Sequence, residues 1–326
     1  MFNYLKIMEK NKLILICSDE NEPSTDIVCS WLNYHNKKFL RISEKNLITI
    51  KKIIIENKNV DIIFDIDDFE YKLSELKSYW YRRSQLKFQN PNFIKILNKT
   101  EQALDEKINV FLNKEFHKTI EFFEYELNKL AVLNKFDDNY INKLKVLSIA
   151  KDLGIKISNT YIVNDFDSID FKDSYITKAI SDLVIFHENT NYYSMTQRVS
   201  FEDGENINNT LIQKEVKKKF EIRSFFFANT FYSSAIFSQE NEKTSLDFRN
   251  YDFENPNRVV PYKLPIGLET KLKELCNLID LKSGSLDLVY TTENEYLLFE
   301  INPVGQFEQV SFPCNYNLHK KIAEIL

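Results

Sequence analysis

Three oxygen-bearing side chains occupy two predicted strands near the end of the sequence. Asp287 lies in the first strand, and Glu300 and Asn302 lie in the second, with a polar turn at residues 292–294 between them. Mg²⁺ takes oxygen ligands in proteins and keeps open positions for nucleotide phosphates. Two carboxylates and an amide on neighbouring strands therefore favour a magnesium site, although any one acid taken alone is more typical of a solvated hairpin.

The strands that carry these side chains form a predicted hairpin over residues 284–306. Side chains alternate across a strand, so each strand has one apolar face. On the first strand that face consists of Leu286, Leu288 and Tyr290, and on the second it consists of Leu297, Phe299 and Ile301. Pro303 lacks a backbone donor and ends the second strand.

Length and composition restrict the class of protein. A chain of 326 residues is long enough for two or three domains with real cores. The net charge of −5 argues against a general nucleic-acid binder. The four cysteines form no CxxC pair and have no spacing typical of a zinc site, so we expect reduced thiols. No apolar run is long enough for a membrane span. We expect a cytoplasmic protein with no nucleic-acid or membrane partner.

The first hundred residues alternate between apolar runs and helical patterns. Strands are predicted at 13–17, 39–42 and 61–66, with a helix from a cap at Ser24 or Thr25 to about residue 35 and a second helix at 47–56. This order predicts a small α/β domain with a parallel sheet. It contains no GxGxxG or Walker-type loop.

An aromatic and cationic cluster follows at residues 79–83. Arg82 and Arg83 are candidates for binding an acidic ligand or a peptide carboxylate. A core tryptophan beside two solvated arginines explains the same residues equally well, and the sequence leaves both interpretations open.

The remaining elements are predicted from periodicity and turn residues. Residues 100–134 form one long helix or two stacked helices, and a helix over 142–153 ends at Gly154. Strands are predicted at 160–163, 174–180 with Lys178 at the centre, 191–197, 211–216, 221–228 and 231–237, with a helix at 268–278. Residues 201–209 are predicted to be a mobile loop.

The order of these elements resembles that of the ATP-grasp ligases. A Lys precedes a helix, a Lys and an Arg follow on strands, and the pattern Asp…Glu-x-Asn comes last. Several motifs narrow the resemblance to the graspetide peptide maturases, relatives of the microviridin ring-forming ligases, and among them to the ATP-grasp maturases of "grasp-with-spasm" systems. These motifs lie at residues 80–83, 221–223, 247–249, 284–287 and 299–307. The likeness extends over nearly the whole chain.

The resemblance implies a role for each matching position. Lys143 and Lys178 match lysines that reach nucleotide phosphates, and Arg223, with Arg249 less closely, matches an arginine that steadies the transferring phosphoryl group. Asp287, Glu300 and Asn302 match the Mg²⁺ ligands. The positions that match the adenine-binding hinge or lie near it are Gln213, Glu215, Val216 and Glu221. The segment 201–209 departs from the pattern, because it lacks the glycines of many phosphate-covering loops.

The implied fold is α/β (α+β): an ATP-grasp fold with an N-terminal Rossmann-like pre-ATP-grasp domain and a central helical segment. The expected domains are 1–99, 100–212 with the helical segment 100–134 and the first ATP-grasp subdomain, and 213–326 with the magnesium site.

The implied activity uses ATP and Mg²⁺. It phosphorylates Asp or Glu side chains of a ribosomal precursor peptide, made of a leader and a core, and joins them to Ser or Thr hydroxyls or Lys amines, with release of ADP and phosphate. The alternative is an ATP-grasp ligase that adds amino acids to a protein or peptide terminus. The resemblance also implies a possible homodimer.

Overall fold

The computed structural model describes residues 12–90, 102–164, 173–181, 184–187, 190–193, 196–199, 209–250 and 252–326. The described residues fall into two compact units. The first extends to Phe136 and includes Leu318–Leu326, and the second is Asp137–Asn317. The division into three domains stays a prediction. Within the described ranges, no helix combines the length and apolar character that a membrane span needs.

The strands of the first unit are β1 (Leu13–Ser18), β2 (Phe39–Ile42), β3 (Leu47–Glu56), β4 (Asn59–Ile66), β5 (Phe69–Lys72), β6 (Leu76–Arg83) and β7 (Lys87–Phe88). Those of the second unit are β8 (Thr160–Val163), β9 (Tyr175–Thr177), β10 (Val184–His187), β11 (Thr190–Tyr193), β12 (Gln197–Arg198), β13 (Thr210–Lys214), β14 (Lys218–Phe227), β15 (Thr230–Phe237), β16 (Arg258–Tyr262), β17 (Ser283–Thr291) and β18 (Tyr296–Asn302).

The α-helices are α1 (Pro23–Tyr34), α2 (Gln102–Lys129), α3 (Lys143–Asp152), α4 (Glu242–Ser245), α5 (Ile266–Leu278), α6 (Glu308–Ser311) and α7 (Leu318–Ile325). Two 3₁₀ segments lie at Leu73–Glu75 and Phe136–Tyr140.

A parallel sheet of order β2-β1-β6 lies at the centre of the first unit. The chain after α2 extends this sheet, since the Tyr79 amide donates to the Leu130 carbonyl at 2.9 Å. The middle strand is fully buried from Ile14 to Cys17, as expected for a strand covered on both faces. The predicted parallel sheet is therefore present. Of the two forms predicted for residues 100–134, one long helix or two stacked helices, the structure shows one continuous helix, α2.

The prediction of a helix over residues 47–56 is wrong, because these residues form β3. Six of the ten residues in LITIKKIIIE are β-branched, and such side chains lose rotamer freedom in a helix and fit a pleated sheet. The strand belongs to a second sheet, of order β5-β4-β3-β7, in which β3 and β4 are antiparallel. The first unit thus contains more antiparallel sheet than its simple β/α alternation predicted.

The N-terminal cap of α1 also differs from the prediction. Glu22, rather than Ser24 or Thr25, is the cap residue, and its carboxylate accepts a hydrogen bond from the Thr25 amide at 2.8 Å. Pro23 at the first helical position needs no amide partner. A buried ion pair between Glu22 and Arg82, 3.2 Å apart, adds to this cap. Arg82 is thus a buried partner of Glu22 and not a solvated cation.

The second unit contains an antiparallel sheet of order β16-β15-β14-β17-β18. Helices α3 and α5 cover one face of this sheet, where Leu272, Leu275 and Ala150 pack against Leu286 and Leu298. A smaller antiparallel sheet has the order β12-β9-β13-β8, and β10 and β11 form a separate hairpin. The helix over 142–153 is confirmed, with Asn142 as its cap and Gly154 in the left-handed region at φ 66°.

Several predicted strand boundaries need correction. Lys178 follows β9 rather than lying at the centre of a strand, and Glu215 and Val216 follow β13. The strand predicted at 191–197 is instead β11 and β12. Most of the predicted mobile loop, residues 201–208, lies outside the described residues.

The Glu22 cap predicts an acid-sensitive first unit. Burial opposes ionisation of Glu22, but the Arg82 charge and the hydrogen bonds from Ser24 and Thr25 lower its pKa from 4.5 to about 2. A lowered pKa gives stability that is present above pH 4.5 and is lost as the pH falls towards 2. We expect Glu22→Gln to cost about 3 kcal/mol at pH 7 and progressively less as the pH falls from 4.5.

Urea unfolding followed by tryptophan fluorescence measures this effect, because both tryptophans, Trp31 and Trp80, belong to the first unit. Glu20→Gln is the matched control, since Glu20 is an exposed acid whose partner Lys45 is also exposed, and it should change little. An equal loss for Glu22→Gln at pH 7 and pH 2.5 would contradict the assignment of the charge.

Candidate functional site

The Glu300 carboxylate lies at the centre of a group of cations in the second unit. Its side chain is 8% exposed, and the ammonium nitrogens of Lys178 and Lys143 lie 3.3 Å and 3.7 Å from its Oε2 atom. The guanidinium of Arg249 lies 3.7 Å from Oε1. Burial opposes ionisation, but these three cations, together with a hydrogen bond from Asn302, lower the pKa of Glu300 well below its usual value. The carboxylate is therefore ionised at neutral pH.

Asp287 lies directly opposite Glu300 in the β17–β18 register. It forms an ion pair with Arg223, which lies opposite it on β14. Burial and the charge of Glu300 nevertheless raise the pKa of Asp287 above its usual value, against the effect of Arg223. Two carboxylates so close together favour a cation between them.

The amide of Asn302 joins these two carboxylates. Its Nδ2 atom donates to Asp287 Oδ2 and to Glu300 Oε1, both at 3.1 Å. The positive end of the amide thus occupies the position that a cation between two acids would take. The described residues contain no group of three or more His, Cys, Asp or Glu side chains placed for a metal, and this set has two carboxylates and an amide. With the Asn302 amide turned so that Oδ1 rather than Nδ2 faces the two acids, that donor set fits Mg²⁺, which is bound through one or two carboxylates and completes its shell with water and phosphate oxygens.

A break in the strand alternation brings Phe299 to the same side as Glu300. The β17–β18 pairing shifts register between Asp287 and Leu288, so Leu298 and not Phe299 packs into the core. Phe299 instead lines a cleft with Glu300. The predicted shared face of Leu297, Phe299 and Ile301 is therefore wrong, because a β-bulge inserts one residue into the alternation, and Ile301 shares the core face with Leu298 and Tyr296 instead.

The cleft lies within the second unit and collects most of the predicted site residues. Its lining includes Ile176, Lys178, Gln213, Lys218, Glu221, Asp247, Arg249, Asp287, Phe299 and Glu300. Lys143, Arg223 and Asn302 contact this group through the two acids.

Among the predicted site residues, Glu215 and Val216 neither line the cleft nor form an ion pair or hydrogen bond with its two acids in the described part of the chain. They lie in the chain between β13 and β14. The Glu215 carboxylate instead accepts hydrogen bonds from the Arg198 guanidinium, at 2.8–3.2 Å, and from Ser174. These contacts, with the Arg198 hydrogen bond the largest, lower the pKa of Glu215.

No role was predicted from the sequence for two residues of the cleft, Asp247 and Lys218. Both oxygens of Asp247 bind the Nε/Nη2 edge of the Arg249 guanidinium, with distances of 2.7–3.2 Å, and so hold it beside Glu300. Lys218 forms a buried ion pair with Glu221 and donates to the Leu246 carbonyl at 2.9 Å. Regular alternation would place Lys218 and Glu221 on opposite faces of the strand. The register shift between Lys218 and Phe220 brings them to the same face, where they form their ion pair. Only the Asp-x-Arg spacing of Asp247 was visible in the sequence.

The turn after β18 packs closely on β17. A side-chain carbon on Gly305 would lie 2.3 Å from Ser285 Oγ and 2.7 Å from the Ser285 backbone nitrogen. The close approach allows the Ser285 hydroxyl to donate to the Gln306 carbonyl at 3.0 Å and places buried Phe307 against Phe225. Gly305 therefore supports the strand that carries Asp287.

We expect Gly305→Ala to destabilise the second unit by about 1–3 kcal/mol, because backbone atoms cannot move away as a flexible side chain can. Thermal unfolding measured by circular dichroism compares this variant with Gly267→Ala in α5, where an added carbon meets no atom within 4 Å. The control should be neutral or slightly stabilising. Equal melting temperatures for the two variants would show that the turn is not closely packed.

Comparison with known proteins finds no matching family model and no significant match among curated proteins. Solved structures do match over almost the whole chain. One is the RiPP-associated ATP-grasp ligase of Chryseobacterium gregarium, in complex with ADP and a leader and core peptide. Its TM-score is 0.72 at 19% identity, and the match covers 96% of this chain and 95% of that chain.

Two further structures show the same architecture. The macrocyclase MdnC of Microcystis aeruginosa, bound with the precursor peptide MdnA, has a TM-score of 0.69 at 22% identity, with coverage of 96% and 99%. The ATP-grasp ligase PsnB, complexed with a phosphomimetic variant of a minimal precursor, Mg and ADP, has a TM-score of 0.63 at 11% identity, with coverage of 96% and 96%. These matches confirm the ATP-grasp fold predicted from the sequence.

Proposed function

We propose that this protein is an ATP-dependent ligase that crosslinks side chains of a ribosomally made precursor peptide. The observation that carries the proposal is the convergence of Asp287, Glu300 and Asn302 with Lys143, Lys178, Arg223 and Arg249 around one cleft of an ATP-grasp fold. The structural neighbours that are complexed with ADP, with Mg and ADP, or with precursor peptides support the same interpretation.

The charges of the cleft suit a polyphosphate. Four cations, Lys143, Lys178, Arg223 and Arg249, surround three carboxylates, those of Asp247, Asp287 and Glu300. The side chains of Lys143 and Lys178 are 17% and 14% exposed, and their ammonium groups provide point charges for phosphate oxygens. Asp287, Glu300 and Asn302 would hold Mg²⁺, which when bound neutralises charge on the phosphates of the nucleotide.

In the proposed reaction, an oxygen of a substrate Asp or Glu carboxylate attacks the γ-phosphorus of ATP, and the bond to the ADP oxygen breaks. Arg223 and Arg249 stabilise the charge that spreads over the transferring phosphoryl oxygens. A Ser or Thr hydroxyl or a Lys amine of the same peptide then attacks the acyl carbon. Phosphate leaves with the carboxylate oxygen, the nucleophile loses a proton, and an ester or amide remains.

The reaction gains most from holding both reacting groups on one bound peptide. A well-oriented intramolecular attack can lower a barrier by roughly 7–11 kcal/mol. We assign Gln213 and Glu221, which line the cleft, to its nucleoside end, and the adjoining segment 215–216 to the hinge beside it. We also propose that the enzyme binds both the leader and the core of the peptide and that it forms a homodimer. Its proposed location is the cytoplasm, where ATP is supplied.

Mass spectrometry of a co-expressed precursor tests this function. A suitable precursor is a small peptide rich in Asp or Glu and in Thr or Lys that is encoded beside this gene. We expect the loss of one water for each crosslink, and no loss with Glu300→Gln, which leaves three cations without their central carboxylate. An addition of mass to the peptide would instead indicate the ligase that extends a terminus.

The matched control is Glu308→Gln, a glutamate on α6 that does not line the cleft. Circular dichroism confirms that both variants are folded before their products are compared. An unmodified precursor with the wild-type enzyme, or full crosslinking by Glu300→Gln, would contradict the proposal.

A further inference from the structure

Three residues of the smaller sheet lie side by side on one face, and two of them line the cleft. Gln213 on β13 pairs in register with Thr160 on β8 and with Ile176 on β9. Neighbouring residues in register lie on the same face of a sheet, and Gln213 and Ile176 both line the cleft. Thr160 is therefore the next residue in the row that forms this wall.

A directed chain of hydrogen bonds crosses this row. Gln213 Nε2 donates to Thr160 Oγ1 at 2.8 Å, and Thr160 Oγ1 donates to the Ser158 carbonyl at 2.9 Å. A carbonyl oxygen can only accept, so the one hydroxyl proton of Thr160 is committed to Ser158. The Thr160 oxygen can then only accept from its other neighbour, and the amide of Gln213 must turn its nitrogen towards it.

This chain fixes the other end of the amide. Gln213 is 2% exposed, and among the described residues no donor contacts its Oε1 atom. The wall of the cleft therefore offers a hydrogen-bond acceptor, the Oε1 atom of Gln213. The Ser158 carbonyl, two residues before Thr160 in the chain, determines which end of the Gln213 amide faces the cleft.

We propose that Thr160 is a positioning residue that selects the purine by holding the Gln213 amide with its oxygen towards the bound base. The inference rests on the proposed nucleotide-binding function of the cleft. An acceptor at this position pairs with the 6-amino group of adenine and opposes the 6-oxo group of hypoxanthine or guanine, because two acceptors cannot share a proton. Without the Thr160 hydroxyl, the amide can rotate and offer either end.

Binding of Mg-ADP and Mg-IDP by isothermal titration calorimetry tests the proposal, since the two nucleotides differ only in the base. The wild type should prefer ADP. Thr160→Val keeps the shape and β-branch of the side chain but removes its hydroxyl, and we expect the ADP-to-IDP affinity ratio to fall by about tenfold. Thr160→Ser restores the hydroxyl and should restore the ratio.

Thr210→Val on β13 is the matched control, because it is a Thr-to-Val change in the same sheet at a hydroxyl with no hydrogen bond among the described residues. It should leave the ratio unchanged. If Thr160→Val does not fold, Gln213→Glu and Gln213→Leu replace it. The glutamate keeps an acceptor and should keep the ADP preference, whereas the leucine should lose it.

The outcomes separate the two claims. An unchanged ratio in Thr160→Val, with both nucleotides bound, would overturn the role of Thr160 and leave the proposed function intact. A wild type that binds ADP and IDP equally would overturn the direction of the amide. A wild type that binds neither nucleotide would overturn the proposed function itself.

Discussion

The buried carboxylate of Glu300 connects parts of the second unit that are far apart in the sequence. Lys143 comes from the first turn of α3, Lys178 from the end of β9, and Arg249 from the chain after α4. A carboxylate removed from water is costly unless cations and hydrogen-bond donors surround it. Glu300 meets this condition only when all of these segments are in place, and the same condition produces a cleft lined by cations.

The opposite pKa shifts of the two neighbouring acids follow from this arrangement. Glu300 has three cations near it, and its pKa is lowered, whereas Asp287 has the single close partner Arg223, and burial beside Glu300 raises its pKa. The pair is thus short of positive charge on the side of Asp287. Asn302 supplies only the partial charge of an amide there, so a divalent cation would relieve the repulsion that the side chains leave uncompensated.

The sequence predicted the parts of the fold that depend on local patterns. The hairpin around Asp287 and Glu300, the helix over 142–153 and its end at Gly154 follow from alternation, helical periodicity and glycine preference. The helix expected at residues 47–56 is wrong because the β-branching of its isoleucines and threonine favours a strand over the helix that a β/α alternation requires. The cap at Glu22 was not predicted because its partner Arg82 lies sixty residues away in the sequence. A pairing over that distance leaves no local pattern in the sequence.

Within the cleft, the sequence identified the residues but not their partners. Phe299 and Lys218 were missed because register shifts reverse the expected faces, and a bulge is a property of the paired strands rather than of one strand. Thr160 carried no signal at all, since its effect depends on the proton that it donates to Ser158.

The role proposed for Asp287, Glu300 and Asn302 is to hold a magnesium ion against a nucleotide. Calorimetric titration of ADP into the wild-type protein, once with Mg²⁺ and once with the metal chelated, tests it most directly. We expect Mg²⁺ to strengthen ADP binding at least about tenfold, or about 1.4 kcal/mol, and Glu300→Gln to remove this gain. Equal affinity for ADP with and without Mg²⁺ would contradict it.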